Sequence, residues 1–149
     1  MEKFLLRAAT QPAGLVIEGE AGIGKTTSWL QICDQAAAEG FRVLSARGSP
    51  SEVSLAFSAL ADLAATAQPA DLDQLPTVQQ QALTRILRRG GEGDGSGPAT
   101  DEWAAAAAFR ALVEIWAKDS PVLIAVDDVQ WLDKASASAI QFAALRVTD

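Results

Sequence analysis

Lys25, Thr26, Asp127 and Asp128 are the residues whose types and surroundings point to chemistry in this chain. They are an ammonium beside a hydroxyl and, far along the sequence, two adjacent carboxylates. The first pair closes the segment Gly19-Glu20-Ala21-Gly22-Ile23-Gly24-Lys25-Thr26, which satisfies the spacing G-x-x-x-x-G-K-[ST] of a phosphate-binding loop. Glycine at 19, 22 and 24 lets the backbone take φ values closed to other residues and lets amides approach phosphate oxygens with no Cβ in the way. Lys25 offers a compact, mobile charge for the β- and γ-phosphates. The Thr26 hydroxyl suits Mg²⁺, a cation that takes oxygen ligands and bridges phosphates. Thr27 either contacts an α-phosphate or serves only as a first-turn helix residue.

Such a loop works only between a strand and a helix, and the flanking sequence supplies both patterns. The apolar run Leu15-Val16-Ile17, extended to Glu18, reads as a short buried strand. A helix is expected from Thr26 to Glu39, aiming its unpaired N–H groups and positive dipole end at the anion. Gly40 is placed as its left-handed cap. Phe41-Arg42-Val43-Leu44-Ser45-Ala46 reads as a second strand, followed by a loop at Gly48-Ser49-Pro50-Ser51. Three further helices are expected: Ser54 to about Ala65, one entered at Pro76 and stopped at Gly90-Gly91, and Asp101 to Lys118. The third presents Phe109, Leu112, Val113 and Trp116 on one face. Arg85, Arg88 and Arg89 close the Pro76 helix, where they offset its dipole. The glycine-rich stretch at about 90–99 reads as a surface insertion within one domain spanning 1–149.

Val122-Leu123-Ile124-Ala125-Val126 is a second continuous apolar run, and it ends in Asp127-Asp128. Strands of that kind lie centrally in parallel sheets, and ligands bind at their carboxyl ends. Both acids are therefore expected beside the phosphate loop, Asp127 in the magnesium shell and Asp128 orienting or deprotonating the attacking water. Two acids at a strand end also suit a solvated turn, and it is the upstream loop that favours the site. An aspartate there reaches less far than a glutamate, so slow hydrolysis is expected. Asp133 reads as the N-cap of a last helix, 134 to 146, with Trp131 and Leu132 packing the turn against the sheet.

The chain of 149 residues has a net charge of −7 and no histidine. Zinc chemistry and a serine triad are thereby excluded, and a nucleic-acid backbone finds no basic face to grip. A single cysteine, Cys33, allows no disulfide within the chain, fits core packing better than a reactive thiol, and points to the reducing cytoplasm. Met1 to Arg7 is no secretory signal, and no run approaches the roughly 18 apolar residues of a membrane span.

The phosphate loop together with Asp127-Asp128-Val129-Gln130-Trp131-Leu132-Asp133 resembles the AAA-type (STAND-like) ATPase module of large ATP-binding LuxR-type transcriptional regulators. The segments Arg42 to Ser49 and Ala56 to Leu60 resemble it too, so the likeness covers nearly the whole chain. It implies an α/β P-loop NTPase fold of three layers with a parallel sheet. It also implies ATP and Mg²⁺ as cofactors and slow ATP hydrolysis that switches an autoinhibited regulator. The family begins with a Gly-Arg-Glu segment that clasps adenine. It continues into a sensor strand, a helical lid and a DNA-binding part, none of which lies within residues 1–149. The resemblance therefore implies an N-terminal fragment truncated before the sensor strand and lid, weakly stable alone, with exposed strand edges. By that resemblance the missing strand sits between the first strand and the Asp127 strand. Direct nucleic-acid contact is implied only for parts outside this chain. Two other readings share the loop: a small phosphotransferase (kinase), for which only Arg88 and Arg89 offer lid arginines, and a non-catalytic remnant. A GTPase is disfavoured, because no Asn-Lys-x-Asp is present.

Overall fold

The structure is a computed structural model that describes residues 2–89 and 101–146. The expected insertion at about 90–99, and with it the glycine stop of the Pro76 helix, lies outside the described residues. In chain order the elements are α1 (Glu2–Ala8), α2 (Lys25–Ala38), β1 (Arg42–Arg47), α3 (Ser58–Ala64), α4 (Pro69–Leu72), α5 (Thr77–Arg89), α6 (Glu102–Ala117), β2 (Val122–Asp127) and α7 (Lys134–Ala144). A single 3₁₀ turn, Val129–Trp131, separates β2 from α7.

β1 and β2 pair in parallel, with Arg42 opposite Val122 and Arg47 opposite Asp127. Side chains alternate across a strand, so this register divides the sheet into two faces. Val43 and Leu123 pack on one face with Leu5, Ile32, Ala36 and Phe41, under α1 and α2. Leu44, Ala46, Val122 and Ile124 pack on the other, with the main core from α3, α5, α6 and α7. The fold is therefore α/β in three layers, helix on parallel sheet on helix, of the P-loop kind. The same period of two puts Arg47 and Asp127 on the α2 side, the side from which the phosphate loop arrives.

The larger core is built from Leu60, Leu63, Leu83, Ile86, Phe109, Leu112 and Trp116, all fully buried or nearly so. Burial of each such side chain contributes about 1.5–3 kcal/mol. α6 packs against α7, and the core they share includes Ala105 and Ala108 of α6 with Ala135, Ala139 and Ala143 of α7, small residues that let backbones approach closely. The α6 face expected from the sequence is buried in full, and Asp101 caps the helix by accepting the amides of Trp103 and Ala104.

α2 ends as its glycine foretold. Gly40 sits at φ 86, its N–H reaches Ala37 O, and the Phe41 N–H reaches back to Ala36 O, the paired bonds of a Schellman motif. Phe41 then packs on Ile32 and Ala36 within the smaller core.

Four expectations need correction. Leu15–Glu18 forms no strand: it has no ladder partner, and Leu15, Val16 and Ile17 are all exposed, Val16 at 78%. A strand's backbone groups must pair with a neighbour, and a continuous apolar run specifies burial only if a sheet is there to receive it. The helix expected from Ser54 begins at Ser58, because residues 52–55 make turns and the caps come from elsewhere in the chain. Trp131 does not pack down with Leu132. Leu132 lies against the main core, whereas Trp131 remains 42% exposed. The short helices α1 and α4 were not foreseen, and Cys33 is half-buried rather than part of either core.

Candidate functional site

The phosphate loop runs from Gly19 into α2 with the backbone that its glycines permit. Gly22 has φ 82 and Gly24 φ 95, left-handed values that strain any side-chain-bearing residue, and a Cβ at either would meet no atom within 4 Å. The space beside both glycines is thus open. At Gly19 the reason for glycine is contact instead, since a Cβ there would lie 2.9 Å from Ile23 Cγ2. Gly24 occupies the N-cap of α2, and no side chain caps that helix. Its first amides are left for an external acceptor, which is how a helix N-terminus holds an anion.

Lys25 bends back over the loop, and its ammonium donates to Gly19 O and Glu20 O, each at 2.8 Å. The cation is held by two neutral carbonyls and by no carboxylate, so an anion entering the loop competes only with those. Thr26, one residue on, donates from Oγ1 to Asp127 Oδ2 at 2.9 Å. This hydrogen bond joins the start of α2 to the end of β2. Strand parity, which turns Asp127 to the α2 side, allows it.

Asp127 is only 8% exposed, and its second oxygen, Oδ1, accepts the Asp128 N–H at 3.0 Å. Asp128 begins the turn at φ 51, a left-handed conformation that aspartate tolerates better than most residues. Its Oδ2 takes Arg47 Nε at 3.1 Å and its Oδ1 takes Gln130 Nε2 at 3.3 Å. Arg47 Nε also lies 3.7 Å from Asp127 Oδ2. One guanidinium therefore bridges the two acids from the end of the neighbouring strand.

The backbone after β1 abuts this turn. Gly48 N–H donates to Asp127 O at 3.0 Å, and a Cβ at Gly48 would fall 2.3 Å from Asp128 O and 2.9 Å from the Trp131 carbonyl carbon. Only glycine fits there.

Asp133 caps α7, as expected, through the Ser136 N–H at 2.8 Å. It is 3% exposed and does more: Oδ1 accepts Phe57 N–H at 2.9 Å and Oδ2 accepts Ala59 N–H at 3.3 Å. Ser136 Oγ takes Leu60 N–H at 2.9 Å. The amides at the start of α3 are thus capped by side chains from α7, which locks the segment after β1 to the segment after β2. Phe57, at φ 68, turns the chain into this clamp.

The carboxyls with displaced ionisation lie away from the loop. Burial, and then the neighbouring Glu52, pushes Asp62 above the usual carboxylate range. Asp71 is held below it chiefly by the Gln68 N–H, against some burial, with help from the Trp116 indole and Arg42. Trp116 Nε1 donates to Asp71 Oδ2 at 3.0 Å, and Arg42 stacks 4.0 Å above its ring. This network stands at the amino end of β1, opposite the phosphate loop.

The residues expected to act together divide as follows. Lys25, Thr26, Asp127 and Asp128 gather at the carboxyl end of the sheet, with Glu20, Ala21 and Ile23 exposed along the loop; Thr27 is exposed and makes no side-chain hydrogen bond among the described residues. Arg47 and Gly48 escaped notice as site residues. Their position opposite Asp127 follows from register, which sequence alone does not give. Among the described residues no three His, Cys, Asp or Glu side chains cluster as a metal site. A hydroxyl and a carboxylate oxygen in contact still suit Mg²⁺, which takes hard oxygen donors, keeps waters and shares phosphate oxygens.

A family model described as AAA ATPase domain matches residues 3–148. Searches of curated proteins and of solved structures return no match.

Proposed function

The chain belongs to the AAA ATPase domain family, and from that premise we propose that it binds ATP with Mg²⁺ and hydrolyses it slowly. It would do so as the nucleotide switch of a cytoplasmic signalling or transcriptional regulator. The observation that carries the reading is the Thr26 Oγ1 to Asp127 Oδ2 hydrogen bond at 2.9 Å, which unites the phosphate loop with the acid pair. The Asp127-Asp128-x-x-Trp131-x-Asp133 element supports the regulator context.

Each side chain has a defined part. The loop amides and the uncapped start of α2 receive the phosphates. Lys25 leaves Gly19 O and Glu20 O for the β- and γ-phosphate oxygens, exchanging neutral acceptors for charged ones, which are the stronger partners. Thr26 and Asp127 are the residues that would hold Mg²⁺, whose contribution when bound is to offset phosphate charge. Asp128 accepts a hydrogen from the attacking water and so orients it. No helix among the described residues is long and apolar enough to cross a membrane.

Thermal unfolding with nucleotide tests this. ATP–Mg²⁺ at about 100 times its dissociation constant stabilises the protein by about 2.7 kcal/mol. Lys25→Ala removes most of that shift, and an unchanged shift in the variant contradicts the assignment. Phosphate release with no acceptor present separates an ATPase from a phosphotransferase.

A further inference from the structure

Among the described residues, Arg47 is the one cation that meets the acid pair, and it meets both members. Its Nε lies 3.1 Å from Asp128 Oδ2 and 3.7 Å from Asp127 Oδ2, the same oxygen that accepts from Thr26. It rises from the last position of β1, in register with Asp127 and on the α2 side of the sheet. The Arg47 side chain is nevertheless 63% exposed, with the contact to the acids made through Nε. No Nη hydrogen bond is made among the described residues, and the residue sits at the carboxyl edge of the sheet. This is the edge to which the phosphate loop and the uncapped start of α2 also open. Asp128, for its part, has both oxygens engaged, one by Arg47 and one by Gln130.

We infer that Arg47 is the specificity-determining residue by which this site distinguishes a nucleoside triphosphate from a diphosphate. The guanidinium exchanges its ion pair with Asp128 for the terminal phosphate, a planar fork being well matched to phosphate oxygens. The exchange has a second effect, since it frees Asp128 Oδ2 to accept from water. A diphosphate offers no terminal group within reach, so Arg47 stays on Asp128 and the acid stays engaged. The inference rests on the ATP reading above and adds to it a residue outside both motifs.

Equilibrium binding of the β,γ-imido analogue of ATP and of ADP, each with Mg²⁺, tests it on the full chain. Arg47→Gln lowers the preference for the triphosphate analogue over ADP by about tenfold, the scale of one hydrogen bond to a charged group, with ADP affinity unchanged. Arg47→Lys, which keeps the charge and loses the fork, restores part of the preference. Asp128→Asn releases Arg47 and raises the preference, and that gain disappears in the Arg47→Gln background. A purely structural ion pair gives neither the change in ratio nor the coupling. Circular dichroism confirms that each variant is folded; if Arg47→Gln does not fold, the Arg47→Lys ratio and its coupling to Asp128→Asn decide. An unchanged ratio, or equal losses for both nucleotides, overturns the inference while leaving ATP binding intact. Failure of the unsubstituted chain to bind either nucleotide overturns the ATP reading and this inference together.

Discussion

Few polar atoms of the acid pair are spare. Asp127 has its oxygens on Thr26 and on the Asp128 amide, and Asp128 has its own on Arg47 and Gln130. The two acids are consecutive yet differ in surroundings, one nearly enclosed and the other half open, and this suits one to hold an ion and the other to meet water. Asp128→Asn is therefore expected to cut phosphate release at least about 100-fold without lowering ATP affinity. Steady-state release beside equilibrium binding measures both, and a matched loss of affinity would assign Asp128 to binding. The loop, the acid pair and the Asp133 cap were legible in the sequence because each is a short contiguous pattern with a local physical reason. Arg47 was not, because its role depends on which residue a neighbouring strand sets opposite it.

At the scale of elements, the site depends on two close approaches between chain-distant turns. The first is Gly48 against the Asp128–Trp131 turn, and the second is Asp133 with Ser136 against the start of α3. Gly48→Ala drives a Cβ into backbone atoms that have no flexible end to move aside, so it costs at least about 2 kcal/mol and displaces the acid turn. Gly14→Ala, where a Cβ meets nothing within 4 Å, stays within about 0.5 kcal/mol. Urea midpoints of the two variants check this, and equal midpoints would mean that the turns are not in contact. Helix positions read well from capping residues and periodicity at α2, α6 and α7, where the signals are local. α3 started late because its amides are accepted by Asp133 and Ser136 at the start of α7, long-range acceptors invisible to a local pattern. Leu15–Glu18 failed for a related reason, since a strand is a property of two segments.

The whole molecule sets two helical layers on a sheet of two described strands, and it leaves Leu15, Val16 and Ile17 facing solvent just before the phosphate loop. A contiguous run of exposed apolar residues favours association between chains. Val16→Lys is expected to reduce light scattering on heating while leaving the unfolding midpoint within about 0.5 kcal/mol of the original, as placing a charge at an exposed position should. A large loss of stability would instead show Val16 to be buried in solution. The first quarter of the chain meets its last at the Thr26 to Asp127 hydrogen bond. Magnesium-dependent ATP affinity, measured for Thr26→Val, Asp127→Asn and the double variant, tests that meeting most directly. Each single change is expected to weaken binding about tenfold or more, with the double variant no weaker than the worse single one, because both act on one ion. Losses that simply multiply, or that persist undiminished without magnesium, would contradict a shared magnesium–triphosphate site.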